Sequence, residues 1–145
     1  MARRIAALAL LFFLVGCKDE DLAKVAKGLQ ITSEVIGQLQ TAVIEANTQG
    51  LMSDDDVRIV LTACAKVNQA GWSATQLTKE IAKLTDPTRN ELLDILKPVI
   101  REVAVLVQTG TVGIKNEQTK QKIQLILLSL ESTLNSIQII LASGG

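Results

Sequence analysis

Few side chains in this sequence are equipped for chemistry. There is no His and no Tyr among its 145 residues, which removes most of the usual proton-transfer groups. Glu91 with Asp94, or Glu102 with Glu131, would form paired carboxylates if they converged. Lys97 and Arg101 lie close by in sequence, and solvated ion pairs are the simpler account. Asp54-Asp55-Asp56 is a candidate cation site, but it lacks the spaced oxygen ligands and the glycine of a calcium loop. Behind Ser53 it reads instead as the acidic first turn of a helix. Gly110-Thr111-Val112-Gly113 lacks the Lys-Ser/Thr ending of a phosphate loop. Cys64 lies on an apolar helical face with no His to activate it, so it reads as an inert, buried thiol. Neither catalysis, a metal centre nor a bound cofactor is expected.

The second cysteine, Cys17, marks an abrupt edge in Phe12-Phe-Leu-Val-Gly-Cys-Lys-Asp-Glu-Asp-Leu22. Ahead of it, Met1-Ala2-Arg3-Arg4 supplies positive charge, and Ile5 to Val15 is an unbroken apolar run. That run is well short of the roughly 20 residues needed to cross a bilayer and fits the core of a signal peptide. Leu14-Val15-Gly16-Cys17 resembles the lipobox of bacterial prolipoproteins. The resemblance implies that residues 1–16 are a signal peptide removed in the mature protein, and that Cys17 carries a covalent lipid, the sole attached group. It covers about the first 17 residues; the body is similar to small helical lipoproteins only in general plan. Cleavage would remove Arg3 and Arg4, turning a formally neutral chain slightly acidic, and would leave Cys64 without a disulfide partner. Lys18, standing where Asp favours inner-membrane retention in enterobacterial lipoproteins, implies the outer membrane facing the periplasm. A host without one would carry the protein on the outer face of its plasma membrane.

The elements behind that edge are helical by pattern. The aromatics are Phe12, Phe13 and Trp72 alone, so the body must build its core from Leu, Ile, Val and Ala, which disfavours a sheet. After a short tether, 17–21, a bundle domain is expected over 22–142, with helices near 19–49, 54–84, 87–109 and 117–142. Leu22, Val25, Leu29, Thr32, Ile36, Leu39, Val43 and Ala46 alternate three and four apart, the spacing of a helical seam, and Gly50 is a plausible stop.

Val57, Val60, Leu61, Cys64 and Val67 form the second stripe. It reads as resuming at Leu77, Ile81 and Leu84, shifted around the helix at Gly71-Trp72-Ser73. Either a kink or a new start at Ser73 is expected there, one long kinked helix being the preferred reading. Thr85-Asp86-Pro87 reads as a loop ending in a cap, with Pro at the first helical position. Leu92, Leu96, Val99, Val103 and Leu106 continue the spacing, with a bend expected at Pro98. The β-branched run from Val103 to Ile114 offers a hairpin as the rival. Asn116 caps the last segment, where Ile123, Ile126, Leu127, Leu130, Leu134, Ile137, Ile140 and Leu141 make the densest apolar face. Gln124, Glu131, Asn135 and Gln138 argue against its crossing a membrane. The expected fold is all-α: an elongated up-down-up-down bundle of about four helices.

Balanced charge without a basic block gives no nucleic-acid footprint. The expectation is an envelope protein held to the membrane by its lipid and serving as a structural or protein-interaction module. Its partner would be another envelope protein or a second copy. Trp72 is a possible interaction anchor, or else a partly buried core ring. The alternative is a carrier or sensor taking a lipid or other apolar ligand between its helices, with Gly37, Ala63 and Gly71 as the small residues that would open a slot.

Overall fold

The stripe of the first segment closes a seam without exception. In the computed structural model, which describes residues 19–144, α1 spans Glu20–Thr48 and buries all eight of Leu22, Val25, Leu29, Thr32, Ile36, Leu39, Val43 and Ala46. Asp19 caps it, its carboxylate accepting the Asp21 amide at 3.0 Å. Glu20 and Asp21 fill the first turn, where the macrodipole favours negative charge. At the far end Gly50 adopts φ +69°. Its N–H donates to the Asn47 carbonyl, and the Leu51 N–H donates to the Ala46 carbonyl, both at 2.8 Å. This paired closure satisfies the last carbonyls and needs a residue without a Cβ at the left-handed position.

α2, Asp54–Glu80, begins at Ser53, whose hydroxyl accepts the Asp56 amide at 3.1 Å. It runs through Gly71-Trp72-Ser73 as one helix but stops before the expected Leu84. Ile81 is extended, and Leu84 is buried from the loop instead. The expected shift of the stripe does not occur either. Burial passes from Val67 to Ala74 and Thr78, in step with half-buried Gly71 and Ile81. These seam positions are small or polar, so a pattern of large hydrophobics loses them. Leu61 and Leu77 are only half-buried.

α3, Asp86–Thr109, is capped by Thr85, which puts Pro87 at the second helical position rather than the first. The Thr85 N–H donates to the Thr88 hydroxyl at 2.8 Å, and the Thr88 N–H returns to the Thr85 hydroxyl at 3.5 Å. Leu92, Leu96, Val99, Val103 and Leu106 are buried as their spacing requires. Pro98 is accommodated inside the helix on its exposed side, where water can serve the Asp94 carbonyl that lost its amide donor. The helix continues through Val103 to Thr109 and excludes the hairpin: the seam outweighs the local β-branched preference.

α4, Glu117–Ala142, starts at Asn116, whose side chain accepts the Thr119 amide at 2.9 Å. It buries Ile123, Leu127, Leu130, Leu134, Ile137 and Leu141.

The four helices stand at the corners of a square. α1 packs on α2 and α4, and α3 packs on the same two, while the backbones of the diagonal pairs stay apart. Short connections reverse the chain each time, giving an up-down-up-down bundle with no strand among the described residues. At about 1.5 Å per residue the longest helix extends about 44 Å. α4 is long and apolar enough to cross a membrane, yet in this fold its apolar side walls the core against α1 and α3. It is a corner helix and is not enclosed: Leu125 and Ile139 are each 67% exposed and Leu128 42%.

Candidate functional site

The N-terminal end of α1 gathers the most elaborate polar cluster in the bundle. Asp19 does more than cap its own helix: its second oxygen accepts the Leu84 N–H at 3.0 Å, tying the start of α1 to the α2–α3 loop. These two backbone donors, Leu84 first and then Asp21, hold the Asp19 carboxyl below its ordinary value. Beside it Arg89, 8% exposed, donates to the Asp21 carboxylate at 3.0 Å and to the Ile140 carbonyl at 2.7 Å. A cation on a carbonyl in the last turn of α4 suits that helix's negative end. Gly144 lies so close over the guanidinium that any side chain there would collide with it. One arginine thus joins the start of α1, the start of α3 and the end of α4. It occupies a seam position three residues before Leu92, and reading only hydrophobics along the stripe passed over it.

A second feature lies between α1 and α2. Gly71, one of the small residues that obscure the α2 stripe, borders a groove of about 730 Å³ floored by Leu29, Ile36 and Val67. Trp72 stands on its rim, 66% exposed. That exposure overturns the reading of the ring as partly buried core. Gly71 opens onto the same groove, whereas Gly37 opens onto a different one between α1 and α4, and Ala63 is buried. The three small residues do not face a common slot.

The remaining candidates disperse. Asp54 accepts from the Asn47 side chain at 2.7 Å, Asp55 pairs with Arg58 at 2.8 Å, and Asp56 accepts the Ser53 hydroxyl at 2.7 Å. The three acids serve helix ends and a surface pair. Among the described residues no three metal-ligating side chains gather. Glu102 pairs with Lys66 across α2 and α3 at 2.9 Å, while Glu91 and Asp94 are exposed. Cys64 is buried, and that burial pushes its thiol up to about 11, so it is protonated at neutral pH and poorly nucleophilic. The Gly110–Gly113 turn is pinned rather than open. The Thr111 hydroxyl donates to Gln124 Oε1 at 3.0 Å, and Gln124 Nε2 donates to the Val107 carbonyl at 3.0 Å.

Leu14, Val15, Gly16 and Cys17, with the whole of the expected signal peptide 1–16, lie outside the described residues. No family model, curated protein or solved structure matches this chain.

Proposed function

We propose that this protein is a non-catalytic, lipid-anchored envelope protein that stands its bundle end-on at the membrane and offers the outer face of α4 to a protein partner. The anchoring half rests on the Leu14-Val15-Gly16-Cys17 resemblance, and the bundle gives it a geometry. Only Lys18 separates Cys17 from Asp19, which is already bonded to both Asp21 and Leu84. A lipid on Cys17 therefore leaves almost no slack. The end built from Asp19, Leu84 and Arg89 faces the bilayer, and the Gly50 end stands about 40 Å away. Two or more acyl chains hold such a protein durably, at about 0.8 kcal/mol for each buried CH₂.

The observation that carries the partner half is the outer face of α4. Leu125, Leu128 and Ile139 are exposed there, and between Ile123 and Ala142 the sole charged residue is Glu131. Exposed Ser129, Ser132, Asn135 and Ser136 lie between these aliphatics, so the face is charge-poor with apolar ends. It holds three of the eight large hydrophobics exposed on the bundle. Low charge with apolar anchors is the composition of a protein interface core.

Photo-crosslinkers placed at Leu125 and Ile139 in the native host, with mass spectrometry of the adducts, test this. Adducts with one protein species are expected from both positions, and Leu128→Lys should abolish them without shifting the thermal melt. Adducts from α2 or α3 positions, with none from α4, would exclude this face. Intact mass should show loss of residues 1–16 plus acyl mass, and Cys17→Ser should leave the precursor uncut. An unlipidated, soluble main product would exclude the anchor.

A further inference from the structure

The α1–α2 groove is unrelated to the α4 face, and its lining has a chemistry of its own. Its volume, about 730 Å³, falls within the ordinary range of small-ligand sites. The floor is aliphatic, from Leu29, Ile36 and Val67, while Asn68, Gln69 and Gln76 bring primary amides to it from α2. Among the described residues these three amides make no side-chain hydrogen bond and are left to solvent, as are most Gln side chains of the bundle. Gln30, which lines the groove from α1, instead donates to Glu34 at 3.0 Å. Each offers two donors and an acceptor. Lys79 is the single charged residue of the lining, and no carboxylate contributes.

Trp72 completes the set. An indole 66% exposed wastes a large apolar surface unless something covers it. The negative face of its ring attracts weakly positive C–H groups, which one side of a pyranose presents in a row. Unpartnered amides match the paired hydroxyls of a sugar and, better, an acetamido group, whose methyl needs an aliphatic floor. A lining without carboxylates disfavours a cationic ligand, and one lysine suits a neutral or weakly anionic one. A purely apolar ligand would leave the amides without partners in a covered site.

We propose that the groove between α1 and α2 binds a glycan of N-acetylated amino sugars, with Trp72 stacking on one ring and Asn68 and Gln76 reading its acetamido and hydroxyl groups. Gly71 is part of the design: a Cβ built on it meets no atom within 4 Å, so its bare backbone gives the groove depth beside the indole. The site is independent of the α4 reading, and its test requires no protein partner.

Trp72 is the sole tryptophan of the sequence, so the fluorescence of the mature lipidated protein in neutral detergent reports this groove alone. Titration with the tetramer of N-acetylglucosamine should give a saturable blue shift. Cellotetraose, the same ring without the acetamido group, should bind at least ten-fold more weakly. The double variant Asn68→Ala, Gln76→Ala alters two polar rim side chains and should weaken binding at least ten-fold with an unchanged thermal melt. Absence of any shift with either sugar overturns the proposal. An equal response to both sugars overturns the acetamido specificity. A blue shift that follows protein concentration without glycan overturns it in favour of a second copy in the groove.

Discussion

Arg89 on α3 and Asp21 on α1 form an ion pair at 3.0 Å across the diagonal of the bundle, between two helices whose backbones do not pack on one another. The arginine is 10% exposed at its side chain and the aspartate 39%, so the pair is sheltered on one side and wet on the other. Because the same guanidinium also holds the Ile140 carbonyl, its removal frees three helix ends at once. Arg89→Ala should destabilise the bundle by about 2 kcal/mol, less than the loss of a fully buried pair because Asp21 can rehydrate. Arg89→Lys should recover part of this, since an ammonium lacks the fork that reaches both acceptors. Urea unfolding of the three proteins measures it; an Arg89→Ala midpoint equal to the parent's would mean the three helix ends hold without the arginine.

Asp19 gives the stability an acid limb. Its folded carboxyl lies below the ordinary value of 3.8 because the Leu84 and Asp21 amides donate to the ionised form. A depressed carboxyl contributes stability that is present above about pH 4 and is lost as pH falls through the lower folded value. Asp19→Asn should therefore melt below the parent at pH 6. The difference should close as both are taken towards pH 2.5, and thermal melts at four or five pH values would show it. A gap independent of pH would assign the effect to the cap's shape and not to its charge.

Leu130 tests the core. It is 1% exposed in mid-α4, with Leu127 and Leu134 buried one turn away on either side. Leu130→Ala should cost about 2–5 kcal/mol, a large part of a typical 5–15 kcal/mol. Thr32 is equally buried, but its hydroxyl donates to the Gly28 carbonyl of its own helix at 2.9 Å. Thr32→Ala removes a bond the helix does not need and should cost about 1 kcal/mol or less. Calorimetric melts that ranked the two in the opposite order would contradict the packing described.

The sequence made the seams of α1 and α3 legible because large aliphatics fill nearly every inward position, as at Leu22 to Val43 and Leu92 to Leu106. α2 was harder to read: Gly71, Ala74 and Thr78 hold the seam with side chains that carry little hydrophobic signal, and the pattern then seemed to slip to Leu77. Gly71 alone of these borders the groove, and a missing side chain leaves no signal in a hydrophobic pattern. Arg89 shows the opposite failure. A charge at a seam position becomes interpretable only when its two acceptors, Asp21 and the Ile140 carbonyl, arrive from helices 68 and 51 residues away. The β-branched run from Val103 to Ile114 favours a hairpin locally, and only the register of α3 against its neighbours decides for the helix.

Two glycines of α1 make the last prediction, with opposite signs from one chemistry. A Cβ at Gly28 would lie 2.6 Å from Ile137 Cγ1 and 2.9 Å from its Cδ1, whereas a Cβ at Gly37 meets nothing within 4 Å. Both lie in helix interiors, where alanine is favoured over glycine by up to about 1 kcal/mol. At Gly37 nothing opposes that gain, so Gly37→Ala should stabilise by about 0.5–1 kcal/mol. At Gly28 the gain meets Ile137, which is 1% exposed and whose Cγ1 and Cδ1 must both give way. Pushing α1 away from α4 or forcing Ile137 off its rotamer costs about 1–3 kcal/mol. Gly28→Ala should therefore be destabilising on balance, and adding Ile137→Val, which removes Cδ1 but keeps the nearer Cγ1, should recover only part of the loss. Thermal melts of the four proteins decide it: stabilisation by Gly28→Ala alone would mean that α1 and α4 are further apart than this packing requires.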